Sequence, residues 1–209
     1  MQKHFIKEVL KHIKERYKNI IEKKKYKIYD NKKITEQIIK DILKLDKQFY
    51  KDEYLWDNDY QLKIFNKNKN SIIAIAYSGN IIGYLNYLAI KKEKYDEILN
   101  SSITIDEFDI NEIISYQKNE NNYITLNSVV IDKNFQDGYV VKLLVKRLKK
   151  ILKKMNDNKY KIAGINSFAV SNDGMKFLER LGFEKRKKLE DNNYLYVLEK
   201  ENLNNFLTK

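Results

Sequence analysis

Cysteine and proline are both absent from this 209-residue sequence, and only six glycines occur. Without cysteine, the chain can build neither a disulfide framework nor a zinc site made of thiolates. The two histidines, His4 and His12, both lie near the N-terminus. They are too few for a histidine-based metal centre, so we expect no metal. Because glycine is scarce and proline missing, element boundaries are weakly marked, and hydrophobic periodicity has to locate them.

Long apolar runs are also missing. No segment approaches the roughly 20 apolar residues that a membrane-spanning helix needs. The opening segment, MQKHFIKEVLKHIK, alternates charged with apolar residues and lacks the uninterrupted apolar core of a signal peptide. We therefore expect a cytoplasmic protein that does not associate with a membrane.

Arginine is scarce although the chain is strongly basic. The formal net charge is +12, but arginine stands only at Arg16, Arg147, Arg180 and Arg186, and lysine supplies the rest. Base-edge recognition and stacking on RNA both favour arginine. We therefore expect no specific nucleic-acid partner. The positive field would still attract small polyanions.

The first 24 residues carry a helical pattern of their own. Apolar residues recur there at helical spacing, with lysine and glutamate between them: Ile6, Leu10, Ile13, Tyr17 and Ile20. This amphipathic helix could pack on the rest of the chain, pair with a second subunit in a homodimer, or lie on an anionic membrane. We assign residues 1–24 to an N-terminal helix and 25–209 to one domain.

Beyond that helix, strands alternate with helices. Strands are predicted at 25–30, 71–77, 81–90, 123–131, 161–170, 183–189 and 194–198. Helices are predicted after Thr35, after the acidic-aromatic segment 52–59, near 95–99 and 109–116, over 141–155, and up to Leu181. Ser78-Gly79-Asn80 is a hairpin turn signal. The pattern predicts an α/β domain with a mixed sheet.

The most informative stretch is ITLNSVVIDKNFQDGYVVKLLVKRLKKIL, residues 124–152. A strand ends at Ile131, a polar loop follows, and an amphipathic helix begins near Gly138. The N-terminus of such a helix leaves backbone N–H groups unpaired, and its dipole favours negative charge. Lys142 and Lys146 lie in the first turns and add positive charge. The loop could therefore bind a phosphate group.

Within this stretch, IDKNFQDGYVVKLL resembles the acetyl-CoA loop of the GNAT superfamily of N-acetyltransferases. That loop runs strand, then Arg/Gln-x-x-Gly-x-Gly/Ala, then helix. Residues 169–185, AVSNDGMKFLERLGFEK, resemble the strand and helix that follow it and end in Gly-Phe. The resemblance covers about residues 25–200. It implies a GNAT-like mixed, mostly antiparallel sheet flanked by helices, extended here by the N-terminal helix, and acyl transfer from acetyl-CoA.

The resemblance also implies a donor site. Gln136 takes the Arg/Gln place, and the pyrophosphate would lie on the backbone of the residues that follow, supported by one lysine: Asp137, Gly138, Tyr139, Val140, Val141 and Lys142. The strand backbone at Val129 and Ile131 would pair with the pantetheine arm. A bulge near Asn127 and Ser128 would separate this strand from its neighbour and admit the arm.

Ser171 and Asn172 stand where the family places a polar residue on the pantetheine. Gly174 would allow the arm to approach closely. Ser171 has a second interpretation of equal weight, because a serine before a helix is a good N-cap.

The sequence departs from the family pattern within the loop. Tyr139 and Val141 occupy the two glycine places, and Gly138 comes one position early. Either the loop accepts side chains next to the phosphates, or the register shifts by one and Phe135 takes the Arg/Gln place.

The residues that usually act as acid and base are missing as well. Leu178 takes the place of the family's frequent general-acid tyrosine, and Thr125 that of a strand glutamate that serves as base. Asn127 follows two residues on along the same face. Neither Thr125 nor Asn127 can act as a base near neutral pH, but both could orient a water molecule, and they are our candidate catalytic residues.

The implied mechanism is direct attack by an amine of a small molecule or peptide on the thioester, within a ternary complex. Strand amides near Val129 would polarise the thioester carbonyl. The acceptor would lie between the closing hairpin and segment 49–60, which offers Asp52, Glu53, Asp57 and Asp59 with Tyr54 and Trp56. The alternative is a GNAT-like protein that binds acyl-CoA without efficient catalysis and serves as a sensor or interaction module.

Overall fold

A computed structural model describes residues 25–50, 58–100, 109–189 and 192–208. The predicted N-terminal helix lies outside these residues, as does most of the predicted acceptor segment, residues 51–57. The turn between the last two strands is described only in part.

Seven strands and six α-helices follow one another along the described residues. They are β1 (Tyr26–Asp30), α1 (Glu36–Asp46), α2 (Asn58–Lys67), β2 (Ile72–Tyr77), β3 (Asn80–Ile90), α3 (Lys92–Asn100), β4 (Asn121–Ile131), α4 (Tyr139–Asp157), β5 (Lys161–Ala169), α5 (Asn172–Arg180), β6 (Glu184–Lys188), β7 (Tyr194–Glu199) and α6 (Lys200–Thr208). None of these helices combines the length and the apolar composition that crossing a bilayer requires.

The strands form one sheet in the order β1-β2-β3-β4-β5-β7-β6. Every neighbouring pair is antiparallel except β4 and β5, which run parallel. A parallel pair needs a crossover connection, and α4 supplies it. The predicted α/β class with a mixed, mostly antiparallel sheet is confirmed.

Helices cover both faces of the sheet and divide the core into two sides. On one side, α4, α5 and α6 pack against apolar residues of the central strands, with Leu144, Leu178 and Phe206 among the buried contacts. On the other side, α1 and α2 bury Ile39 and Phe65. After the donor and acceptor segments that the resemblance implies for them, we call the first the donor side and the second the acceptor side.

Local sequence signals explain several boundaries. The Thr35 hydroxyl caps α1 by accepting from the Ile38 N–H at 3.3 Å, as predicted. Ser78 and Gly79 both have positive φ angles, 49° and 94°. Positive φ at both central positions is the geometry of a two-residue type I′ hairpin, and it joins β2 to β3.

Two features differ from the predicted elements. The helix predicted near 109–116 is only a short 3-10 turn, Ile110–Glu112, in which the Asp109 and Glu112 side chains cap each other's backbone. The C-terminal helix α6 was not predicted, because asparagine and glutamate dilute its apolar face. Its Leu203, Phe206 and Leu207 are nevertheless buried, and α6 packs on α4, β5 and β7.

Candidate active site

The parallel strands β4 and β5 separate part-way along their length. Their pairing runs from Asn121 opposite Lys161 to Leu126 opposite Ser167. Beyond that point β5 stays paired with β7 as far as Ala169 opposite Tyr194. Within the described residues, β4 from Asn127 to Ile131 keeps only its pairing with β3. The edge of β4 that faces β5 is therefore open over these five residues, and we call this opening the split.

A bulge in β4 lies at the start of the split. Asn86 pairs with Ser128 and Tyr87 with Leu126, so Asn127 is the extra residue. A bulge bends its strand and disrupts the ladder, which explains why β4 leaves β5 here. The predicted bulge near Asn127 and Ser128 is confirmed.

Backbone alternation directs Val129 and Ile131 into the split. The Asp132 N–H donates to the Ile82 carbonyl of β3 at 2.8 Å. In an antiparallel ladder, every second residue directs its N–H and C=O to the same neighbour. Val129 and Ile131 therefore direct theirs away from β3. Consistent with this, the Ile131 carbonyl accepts from the Gln136 Nε2 at 3.0 Å.

The N-terminus of α4 lies at the end of β4. Gly138 is the N-cap residue and has a φ of 87°, a conformation that favours glycine. The Lys142 N–H makes the first helical bond, to the Gly138 carbonyl at 3.1 Å, so the three preceding amides have no acceptor inside the helix. Lys142 and Lys146 are exposed nearby.

Gly83 of β3 brings this helix end close to the sheet. A Cβ at Gly83 would lie 3.1 Å from the Val130 carbonyl oxygen and 3.2 Å from Val140 Cγ1. Val140 is fully buried in the donor-side core. Its side chain therefore anchors the first turn of α4 against the sheet and leaves the amide end of the helix at the split.

One of the α4 amides is already engaged by an acid. The Asp137 carboxylate accepts from the Tyr139 N–H at 2.9 Å. Both Asp137 and Gln136 are exposed. The carboxylate satisfies a donor that an anionic ligand would otherwise use, and it adds a negative charge next to the helix N-terminus.

The two aromatic residues of the loop pack away from the amides. Tyr139 meets Tyr26 edge-on at 5.2 Å between ring centroids, and Phe135 contacts Tyr77 at 5.2 Å. Tyr26 and Tyr77 are themselves 5.0 Å apart. Phe135 is thus part of an aromatic cluster on β1 and β2, whereas Gln136 is at the surface. Of the two residues considered for the Arg/Gln place, Gln136 is therefore the exposed one.

Ser171 is a helix cap. Its hydroxyl accepts from the Gly174 N–H at 3.1 Å at the start of α5. Asn172, the first residue of that helix, is exposed. A Cβ at Gly174 would lie 3.2 Å from the Ser171 hydroxyl oxygen, so glycine here leaves room for the cap itself.

Known structures share the overall fold. The loading GNATL domain of CurA from Lyngbya majuscula matches with a TM-score of 0.59 at 11% identity, over 82% of this chain and 96% of that one. A GNAT-family acetyltransferase from Staphylococcus aureus Mu50 gives 0.55 at 15% identity, over 82% and 97%. The chain has the GNAT fold.

A third match is Arabidopsis thaliana Naa50, solved with the bisubstrate analogue CoA-Ac-MVNAL. It gives a TM-score of 0.51 at 12% identity, over 83% of this chain and 97% of that one. No protein-family model and no curated protein matches the sequence. At these identities the likeness shows the GNAT fold alone.

The two positions that lack the usual GNAT acid and base are both buried. Leu178 packs in the donor-side core. Thr125 is fully buried, and its hydroxyl donates to the Asn166 Oδ1 at 2.8 Å. A role for Thr125 in ordering water would therefore have to act through Asn166. Asn127 is half-buried, and its Nδ2 donates to the Ser128 hydroxyl at 3.3 Å.

Tyr196 also faces the donor-side core of this GNAT fold. Its hydroxyl donates to Glu179 at 2.9 Å. Burial, followed by this hydrogen bond, raises the pKa of Tyr196 to about 12. The phenol therefore stays protonated at neutral pH, with its proton directed at Glu179.

On the acceptor side, sequence analysis missed a polar chain under the bulge. The Tyr84 hydroxyl donates to the Asp46 Oδ1 at 2.7 Å, and both residues are buried. Ser128 lies on the same face of the sheet as Tyr84, one cross-strand pair away, since Ser128 pairs with Asn86 and Val130 with Tyr84. Ser128 lowers the pKa values of both Tyr84 and Tyr50. The sequence did contain a signal, because Asp46 follows Ile39 and Ile42 at helical spacing and so lies on the buried face of α1.

Burial raises the pKa values of Asp46 and Tyr84. Desolvation raises the pKa of Asp46 from its usual 3.8 to about 6, although the hydrogen bond from Tyr84 opposes the shift. The pKa of Tyr84 is raised well above 10, first by burial and then by the Asp46 charge. Asp46 is therefore mostly ionised at neutral pH and can accept a proton, whereas Tyr84 stays protonated.

Two more polar groups near the split are unsatisfied. Asn86 Oδ1, opposite Ser128, and Asn166 Nδ2, beside Thr125, are buried and have no hydrogen-bond partner among the described residues. An unmade hydrogen bond of this kind costs about 1–3 kcal/mol. The acceptor side of the sheet thus offers one free acceptor and one free donor.

Proposed function

We propose that this protein is an acyltransferase that uses acetyl-CoA as donor and an amine of a small molecule or peptide as acceptor. The observation that supports the proposal most is the split between β4 and β5, with Val129 and Ile131 facing into it. An extended pantetheine arm can pair with such an open strand edge as an added strand would. The bisubstrate analogue bound to the Naa50 match joins CoA to a peptide, in agreement with these ligand classes.

The residues at the end of the split fit a pyrophosphate. Gly138 at the N-cap has open space around it, since a Cβ there would meet nothing within 4 Å. The amides of Val140 and Val141 lie at the positive end of the α4 dipole, with Lys142 beside them. Tyr139 does not block the approach, because its ring packs on Tyr26.

In this mechanism the chain positions two reactants and stabilises charge. The Val129 N–H would donate to the thioester oxygen as negative charge develops there. Asn127 lies at the bulge and would orient the acceptor or a water beside it. Thr125, hydrogen-bonded to Asn166, would support the site from the buried interior. No covalent enzyme intermediate is expected, since the chain has no cysteine.

The test is thiol release from acetyl-CoA in the presence of pooled amines: spermidine, free amino acids and peptides with free N-termini. The absence of cysteine removes any background from protein thiols. Amine-dependent release is expected, with the acetylated amine found by mass spectrometry. Failure to release thiol with any amine would rule out the enzyme.

A second candidate function is an acyl-CoA sensor or interaction module. Leu178 is buried where the family often has a tyrosine, and Thr125 is buried where it often has a glutamate. Acetyl-CoA binding without thiol release in the same assay would favour the sensor.

A further inference from the structure

We propose that Ser128, Tyr84 and Asp46 form a proton relay on the acceptor side of the sheet, with Asp46 as the final proton acceptor. The inference rests on the proposed acyl transfer and identifies the base that the loop and the strand lack.

The geometry brings the three groups together. Tyr84 donates to Asp46 at 2.7 Å. Ser128 pairs with Asn86 and Val130 pairs with Tyr84, so Ser128 and Tyr84 lie on the same face of adjacent strands, one pair apart, and Ser128 follows directly after the bulge residue Asn127. The entrance is accessible, because Ser128 and Asn127 are half-buried and the neighbouring Tyr50 is 38% exposed. The other end of the relay is shielded from solvent, since Asp46 is only 4% exposed.

The direction of the hydrogen bonds suits proton transfer toward Asp46. Tyr84 already directs its proton at the carboxylate. The Ser128 hydroxyl accepts from the Asn127 Nδ2 at 3.3 Å, which leaves its own proton to be given to Tyr84. In agreement with this, Ser128 lowers the pKa of Tyr84, as a donor to the phenolate would. Each oxygen can therefore accept a proton from one side while giving its own to the other.

The transfer step balances. The acceptor nitrogen forms a bond to the acyl carbon, and the C–S bond breaks, with its electron pair leaving on the CoA sulfur. The nitrogen gives one proton to Ser128, Ser128 gives its proton to Tyr84, and Tyr84 gives its proton to Asp46. The carboxylate ends as a carboxylic acid, and the same path returns the proton to the thiolate or to water.

A purely structural role does not explain why residue 46 is an aspartate. An asparagine at 46 would accept the Tyr84 hydrogen bond equally well without placing a charge in the core. Among the described residues, no lysine or arginine forms an ion pair with Asp46, and the titratable neighbours that act on the Asp46–Tyr84 pair are these two groups and Tyr50. Among the described residues, the ionised form of Asp46 is thus stabilised by little other than its hydrogen bond from Tyr84.

The test compares the wild type with Asp46→Asn, using acetyl-CoA and the amine that gives the fastest release in the pooled assay. The ratio of their kcat values is followed from about pH 5 to about pH 9, because a ratio cancels the ionisation of the amine. Above pH 7 we expect the wild type to be faster by about 10²-fold or more. Below the pKa of Asp46, near 6, the advantage should fall about tenfold per pH unit.

Companion variants distinguish a relay from a local disturbance. Tyr84→Phe and Ser128→Ala should each lose the same pH-dependent advantage, and Ser128→Thr, which keeps the hydroxyl, should recover it. Asp41→Asn is the matched control, because Asp41 lies on the same helix and its carboxylate accepts from Gln37 and Lys44 among the described residues; its ratio should stay flat. A flat ratio for Asp46→Asn in an active enzyme would overturn the relay and leave the acyl transfer intact.

A second readout does not depend on turnover. Carbon-13 NMR of aspartate-labelled protein should show the Asp46 carboxyl titrating near pH 6, and Tyr84→Phe should move that midpoint upward because it removes the hydrogen bond that favours the charged form. A midpoint near that of an ordinary aspartate, about 4, would also overturn the relay. A wild type that binds acetyl-CoA but acylates no amine would overturn both proposals.

Discussion

At the scale of single residues, the buried environment of Asp46 destabilises its charged form. The fold raises its pKa from 3.8 to about 6 by burial, so the folded state binds this proton more tightly than the unfolded state does. The associated stability is fully present below about pH 4 and is lost as the pH rises through 6. Above that range the wild type bears a cost of about 3 kcal/mol at most.

Asp46→Asn should therefore stabilise the protein at high pH. We expect its free energy of unfolding to exceed that of the wild type by up to about 3 kcal/mol near pH 8, with the gain shrinking to nearly nothing near pH 4. Urea denaturation at both pH values measures the difference. A gain that is equal at both would mean that the carboxyl titrates normally in the fold.

Asp137, at the N-terminus of α4, should weaken the binding of acetyl-CoA. Its carboxylate occupies the Tyr139 N–H, so a pyrophosphate would have to displace it and bear its repulsion. We expect Asp137→Asn to bind acetyl-CoA about three- to tenfold more tightly at low salt, with a smaller gain at high salt. Calorimetric titration provides the affinities.

Asp157→Asn is the control for Asp137→Asn. It makes the same charge change at the far end of α4, where Asp157 forms an ion pair with Lys153, and it should leave the affinity unchanged. Equal or weaker binding by Asp137→Asn would show that the pyrophosphate does not use this helix end.

Among the elements, the start of α4 depends on one particular backbone conformation. Gly138 has a φ of 87°, which proline cannot adopt and asparagine tolerates. Gly138→Pro should abolish acetyl-CoA binding, whereas Gly138→Asn should keep most of it. Titration of both variants, with circular dichroism to confirm folding, checks this. Retained binding in a folded Gly138→Pro variant would place the pyrophosphate elsewhere.

The helix α6 is an element that stabilises rather than binds. Phe206 is buried against α4, with Lys149 over its ring at 4.6 Å. Phe206→Ala should cost about 3–5 kcal/mol of unfolding free energy. Asn204→Ala on the exposed face should cost little. Thermal denaturation compares the two, and a small loss in Phe206→Ala would mean that α6 is only loosely docked.

The sequence predicted those elements whose signals are local. Periodicity located every strand of the described sheet, and Thr35 marked a cap that the structure contains. It missed α6, whose burial depends on partners distant in sequence. Asp46, Tyr84 and Ser128 were missed for the same reason, since they lie on α1, β3 and β4, which the fold brings together. No spacing along the chain indicates that these three residues are neighbours.

At the scale of the whole molecule, the two faces of the sheet carry different functional groups. The donor side carries α4, whose N-terminus meets the split, and the acceptor side carries the polar chain from Asn127 to Asp46. In the proposed mechanism, an acyl donor and an amine would approach the same strand from opposite faces. The net charge of +12 favours the polyanionic donor over long range.

Thermal denaturation with and without acetyl-CoA tests the central claim most directly. A ligand that binds only the folded state stabilises it by about 2.7 kcal/mol at 100 times its Kd, which for a protein of this size raises the Tm by several degrees. We predict that acetyl-CoA and CoA raise the Tm in a concentration-dependent way and that Gly138→Pro abolishes the shift. An unchanged Tm at saturating concentrations of both ligands would contradict the assignment of the split as an acyl-CoA site.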